Sequence, residues 1–103
     1  MKSSVIALVA ASLLIAGSAF ASEELATSNN CMVCHKVDVK GMGPSMQDIA
    51  AKYKDDEAAV ATLEKSIKEG SSGKYGGMAM PAQKQVSDDD AKALAEWIMT
   101  LAK

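Results

Sequence analysis

Two cysteines and one histidine are all the thiol and imidazole chemistry in this chain of 103 residues, and they stand together as Cys31-Met32-Val33-Cys34-His35. Residues three and four apart on a helix share a face. Cys31 and Cys34 can therefore reach neighbouring vinyl groups of one porphyrin and form two thioethers. His35, four residues after Cys31, can then bring an imidazole nitrogen over the ring to ligate iron. C-x-x-C-H is the attachment pattern of c-type haem. Other uses of a C-x-x-C pair fit less well. A thioredoxin-like dithiol expects a βαβ pattern, which the chain lacks. A structural zinc site wants four ligands, and two Cys with one His leave it one short. A disulfide closing so short a loop would add little stability. The expectation is one covalent haem c, bound through Cys31 and Cys34, with His35 on the iron.

A six-coordinate iron needs a second axial group. With no second His, Met is the natural donor. Met32 sits inside the attachment motif and cannot cross to the opposite face of the ring. Met42 and Met46 follow it closely and are expected to line the pocket, while Met99 lies on the last helix as packing. Met78 and Met80 lie in a glycine-rich loop with Gly73, Gly76 and Gly77. Such a loop can bring its backbone close to a flat cofactor, since Gly has no side chain. Pro81 stiffens the chain beside Met80.

The elements that would place these groups read as helices. Ser22 is a plausible N-cap, with Glu23 and Glu24 in a first turn, and this helix should run to about Cys34. Lys36 to Gly43 reads as a loop broken by Gly41 and Gly43. Pro44 suits the first turn of a short helix ending near Tyr53. Asp55 or Asp56 should cap a third helix, with Val60, Leu63 and Ile67 as its apolar stripe and Gly70 as its stop. Ser71 to Val86 reads as loop. Ser87 should start the last helix, with Asp90 three residues on and Ala91, Leu94, Ala95, Ile98, Leu101 and Ala102 on its buried face. No stretch alternates with period two, so the expected class is all-α.

Residues 1–21 read as a secretory signal peptide. Lys2 is the positive start, Val5 to Ala16 is apolar except for Ser12, and Ala19-Phe20-Ala21 fits the cleavage pattern. The apolar run is short for a membrane span. The expectation is cleavage before Ser22, export to a bacterial periplasm, and no stable membrane insertion afterwards. Removing 21 of 103 residues leaves 82, one domain over 22–103. Chains this small usually need a staple. A buried haem, hiding several hundred Å² of apolar surface, would contribute on the order of 10 kcal/mol gross. Without Lys2, ten lysines face thirteen acids, a formal charge of −3 with no Arg anywhere. That balance argues against a nucleic-acid partner.

The chain resembles the small monohaem class I cytochromes c of bacteria, of the cytochrome c-551/c-552 type. The likeness spans residues 22–103 and rests on Cys31-Met32-Val33-Cys34-His35, Gly43-Pro44, Gly70-Ser71, Met80-Pro81, Val86-Ser87-Asp88-Asp89 and Trp97. It implies a small cytochrome c fold of about four helices around one haem. It implies His35 as proximal and Met80 as distal iron ligand, and a Pro44 carbonyl that receives the hydrogen bond from the other imidazole nitrogen. Two positions depart from the family. Tyr75 stands where Trp is common near a haem propionate, and its hydroxyl can still donate a hydrogen bond. Ser66 stands where an Arg often helps hold a propionate.

The function implied is one-electron shuttling between periplasmic redox proteins of a respiratory chain, by a monomeric carrier rather than an enzyme. Donor and acceptor would dock transiently through a small interface. Lys36, Lys40, Lys74 and Lys84 could form the docking rim, or could be scattered solvated charges. Two other functions share these residues: a haem enzyme or gas sensor with a displaceable sixth ligand, and a thiol oxidoreductase using Cys31 and Cys34. Carbon monoxide binding to the ferrous protein would mark the first, and free thiols in the exported protein the second.

Overall fold

The computed structural model describes residues 23–75 and 78–102. The leader read over residues 1–21, the cap expected at Ser22, and Gly76 and Gly77 of the loop lie outside the described residues. Regular structure among the described residues is helical: α1 (residues 23–28), α2 (Cys31–Cys34), α3 (Met46–Tyr53), α4 (Ala59–Glu69) and α5 (Asp88–Met99). No strand forms among them; Ser71 and Met80 make one isolated antiparallel bridge.

Helices α4 and α5 pack against each other most extensively, and α3 packs on α5. The stripe Ala59, Leu63 and Ile67 of α4 meets Ala91, Leu94, Ala95, Trp97 and Ile98 of α5, and α3 adds Met46, Ile49, Ala50 and Tyr53. Small alanines on α5 let helices approach closely around Leu94, which is fully buried with Val86. The start of α5 is strongly specified. The Ser87 hydroxyl accepts from the Asp90 N–H at 3.1 Å, and Asp88, Asp89 and Asp90 place negative charge at the positive end of the helix. Gly70 ends α4 at φ +84°, a conformation that suits Gly. Leu101 and Ala102 lie beyond the end of α5 and are only partly buried.

The first helix is not continuous to Cys34. The backbone turns left-handed at Asn30, φ 64°, which separates α1 from α2. The local sequence explains the break. Thr27 and Ser28 hydroxyls donate to the Glu23 and Glu24 carbonyls, and the Asn29 amide donates to the Leu25 carbonyl at 3.0 Å. Such side chains compete with the helix for its backbone groups, and Asn tolerates the left-handed region better than other non-glycine residues. A second difference lies at Pro44. It precedes the helix rather than opening it: Ser45 is the N-cap of α3, its hydroxyl accepting from the Asp48 N–H at 3.1 Å. At α4 the Asp56 carboxylate accepts from the Ala58 N–H at 2.8 Å and shapes the turn before the helix, while Ala58 itself is the cap position.

The left-handed turn at Asn30 sets how α2 departs from the core. Asn30→Val should cost about 1–2 kcal/mol by forcing a Cβ-branched residue into that conformation. Asn30→Gly should leave stability within a few tenths of a kcal/mol. Urea denaturation of the two variants checks this, and equal midpoints would show that the turn does not constrain the chain.

Candidate functional site

Cys31 and Cys34 occupy the two ends of α2, both half-buried and unbridged. His35 follows in extended conformation, φ −112° and ψ 141°, yet its N–H still bonds the Cys31 carbonyl at 3.0 Å. The single turn of α2 thus delivers two sulfurs and then swings the imidazole out of the helix. Burial pushes the Cys31 thiol up from its ordinary range, against a smaller opposing effect of a backbone hydrogen bond. A redox-active dithiol needs the reverse, a cysteine with a depressed pKa. Among the described residues no group of three or more His, Cys, Asp and Glu side chains converges on a bare metal site.

The loop after α2 is built around the His35 ring. The Gly43 N–H donates to the Cys34 carbonyl at 2.8 Å, and the Met46 and Gln47 N–H groups donate to the Lys36 and Val37 carbonyls at 2.8 and 3.0 Å. This folds the chain back so that Gly43 lies against the imidazole. A Cβ at Gly43 would come within 2.7 Å of His35 Cε1 and 3.0 Å of Nδ1. The next residue supplies the decisive contact: His35 Nδ1 lies 2.8 Å from the Pro44 carbonyl oxygen. A carbonyl can only accept, so Nδ1 carries a proton, and in the neutral ring the lone pair is on Nε2. Nε2 has no hydrogen-bond partner among the described residues. The imidazole is oriented and its free nitrogen is a ligand in waiting.

The methionines separate by position. Met46, expected beside a pocket, is instead a core residue of α3 at 3 % exposure, and Met42 is exposed. In the loop after α4, Met78 is 73 % exposed whereas Met80 is partly buried against the core. Met80 is also the residue whose backbone is held. Its N–H donates to the Ser71 carbonyl at 2.8 Å and its carbonyl accepts from the Ser71 N–H at 3.0 Å. Gly70 makes room for this pairing, since a Cβ there would lie 2.7 Å from the Met80 oxygen. Downstream, the Gln83 N–H donates to the Ile67 carbonyl at 2.8 Å, and Lys68 Nζ donates to the Val86 carbonyl at 2.5 Å while pairing with Asp88 at 3.1 Å. Helix α4 therefore grips the chain after Met80, while Ser71, just past the helix end, pairs with Met80 itself. Sequence reading missed these grips. Only the adjacency of Gly70 and Ser71 at the helix end hinted at them.

Tyr75 lies in the same loop, two-fifths exposed. The Lys52 ammonium sits 5.0 Å from its ring centroid. Its hydroxyl pKa is pushed up to about 12, chiefly by burial and then by the negative charges that Tyr53 and Asp48 can present. The phenol therefore stays a proton donor across the neutral range. Lys74, beside it, donates to the Ser66 hydroxyl at 3.1 Å.

Two half-buried unbridged thiols, an oriented imidazole four residues on, and a thioether on a gripped loop form a donor set suited to covalent haem. A model of the Cytochrome c family matches residues 21–102. The chain belongs to the cytochrome c family. It is 53 % identical over 92 residues to cytochrome c-552 of Nitrosomonas europaea, covering 89 % of each chain, and 39 % identical over 97 residues to cytochrome c-551 of Pseudomonas aeruginosa, covering 92 % of each. The crystal structure of wild-type Nitrosomonas europaea cytochrome c552 superposes with a TM-score of 0.75 at 53 % identity, over 77 % of this chain and 98 % of that one. This is a small class I cytochrome c of all-α fold, an electron carrier whose prosthetic group is one covalently bound haem c.

The contact between Gly43 and the imidazole gives a sharp test. In this cytochrome c, Gly43→Ala should displace the His35 ring and lengthen its bond to Pro44. Losing that hydrogen bond should cost about 0.5–1.5 kcal/mol of stability, and the downfield Nδ1–H proton resonance should vanish from the NMR spectrum. A resonance that survives unchanged would mean the ring tolerates the methyl group.

Proposed function

We propose that this cytochrome c is a periplasmic one-electron carrier in which Cys31 and Cys34 hold the haem by thioethers and His35 and Met80 fill the two axial positions. The observation that carries the reading is the Pro44 carbonyl 2.8 Å from His35 Nδ1, which accepts the Nδ1–H hydrogen bond and makes Nε2 the lone-pair nitrogen of the neutral ring. A second-shell partner of this kind orients a ligating His and raises its basicity. Half-burial of Met80, against the exposure of Met78, supports Met80 as the other donor.

When bound, haem c supplies a ferric–ferrous couple. The chain's own residues do the rest. His35 and Met80 together leave no axial position for a substrate, which favours a carrier over an enzyme or gas sensor. A thioether opposite an imidazole raises the potential relative to two imidazoles. The backbone pairing of Met80 with Ser71 and the hold of Lys68 on the chain that follows would keep the thioether in position for a bound haem. Tyr75, protonated at neutral pH, would donate a hydrogen bond to a haem propionate.

Residues 1–21 we read as a cleaved signal peptide, with the mature domain over 22–103 in the periplasm. The match to the Nitrosomonas europaea sequence spans 89 % of this chain, whereas 77 % of it covers nearly all of the crystallised chain; the difference supports a leader that is removed. No helix among the described residues is long and apolar enough to cross a membrane. The partners would be periplasmic redox proteins met transiently by a monomer. Lys36, Lys40, Lys74 and Lys84 are all exposed, which supports a cationic docking rim.

Mass spectrometry of the exported protein should find a chain that starts at Ser22 and carries the mass of one haem. The visible spectrum should show the sulfur-to-iron charge-transfer band, and Met80→Ala should abolish that band while Met78→Ala keeps it. A band retained without Met80 would refute the assignment. Electron-transfer rates to an anionic redox partner should fall as ionic strength rises, because steering by exposed charges is screened over about 10 Å at 0.1 M salt. A flat dependence would remove the lysine rim.

A further inference from the structure

We propose that Lys74 supplies the cation that pairs with one carboxylate of the bound haem, held ready for it by Ser66, Tyr53 and Lys52. The proposal rests on the haem assignment above. Haem c keeps two ionised propionates, and a carboxylate at a partly desolvated site needs a cation or donors to offset its lost hydration. The segment from Ser71 to Met80 closes on itself through the bridge between its ends, so Lys74 and Tyr75 share a short loop with Met80. Lys74 is exposed, yet its ammonium has defined neighbours. It donates to Ser66 Oγ of α4 at 3.1 Å and lies 6.0 Å from the Tyr53 ring centroid of α3. Lys52, also from α3, reaches the same segment, donating to the Lys74 carbonyl at 3.4 Å and covering the Tyr75 ring.

Two helices and one loop thus bring two ammonium groups and a phenol together. Neither ammonium has a carboxylate within ion-pair distance among the described residues, where the one ion pair is Lys68 with Asp88. Asp48, in the first turn of α3, is the acidic group that faces Tyr75, and together with Tyr53 and burial it keeps that hydroxyl protonated. Two ammonium groups outside any ion pair, beside a phenol that keeps its proton, can receive a carboxylate, with Asp48 as the one acidic group that faces Tyr75. Of the two lysines, Lys74 is the one fixed by a side-chain hydrogen bond across elements, and it is the one in the Met80 loop.

The test uses the mature holoprotein. The propionate titration is followed in the pH dependence of the reduction potential and of the haem NMR resonances. The groups that also titrate or carry charge at this place are Asp48, Lys52, Tyr53 and Tyr75. Lys74→Met should raise the apparent propionate pKa by about one unit, the smaller end of the effect of an adjacent opposite charge. Lys74→Arg should leave it in place. Ser66→Lys added to Lys74→Met should bring it back, because that side chain starts where the Lys74 ammonium now ends. The haem mass and the sulfur-to-iron band are recorded for every variant. Their loss would count against the haem assignment, whereas their retention with an unmoved propionate titration in Lys74→Met overturns the role of Lys74. A variant that changes only the salt dependence of electron transfer would assign the carboxylate to a docking protein and overturn it equally.

Discussion

One hydrogen bond governs the chemistry available to this chain, the one from His35 Nδ1 to the Pro44 carbonyl. The histidine is alone in the sequence, so its tautomer and direction decide whether it can serve a metal at all. Proline has no N–H, and its carbonyl can only accept. The bond therefore bears on both questions together: a proton sits on Nδ1, and in the neutral ring the lone pair is on Nε2. Everything nearby serves that geometry. Gly43 makes room for the ring, its N–H ties back to Cys34, and Ser45 caps α3 so that Pro44 is anchored to a helix and not left on a loose loop.

The opposite side of the site is organised by a different principle. Met80 belongs to no helix, and a long flexible side chain on a free loop would be a poor fixed ligand. Its position is set through the backbone instead. The pairing with Ser71 fixes one end of the loop, and the contacts of Lys68 and Gln83 with Val86 and Ile67 fix the other. The second anchor comes from α4 and the first from the residue just past its Gly70 cap, and α4 packs on α5 in the largest helix contact among the described residues. The most stable part of the protein thus holds the part that would otherwise be the most mobile. The core is small and built largely from Ala, Leu and Ile on three helices. A covalent haem would enlarge it, and the covalent links remove the translational cost of keeping the group in place.

Much of this was legible without coordinates. The spacing of Cys31, Cys34 and His35 pointed to covalent haem c, the prosthetic group of the family, because a helix repeats on a scale that matches two vinyl groups. The stripes of α4 and α5 and the cap at Ser87 were equally plain, since they depend on contacts within three or four residues. The local breaks were harder. Thr27, Ser28, Asn29 and Asn30 carried the information that α1 and α2 separate, but the same residues are compatible with a polar helix face, and side-chain competition won. Pro44 looked like a first-turn proline because its φ suits one, yet Ser45 was the better cap.

The sequence by itself determined the attachment motif, the helical class and the order of the elements, because these follow from residue type and short-range periodicity. Tertiary structure alone decided which of two neighbouring methionines is sheltered, which nitrogen of His35 is free, and where the Lys74 ammonium comes to rest. The physical reason is common to all three. Each depends on contacts eight or nine residues apart, beyond the reach of one helical turn, between Ser71 and Met80, His35 and Pro44, or Lys74 and Ser66. No local pattern encodes such meetings, and only the packing of α3, α4 and α5 brings them about.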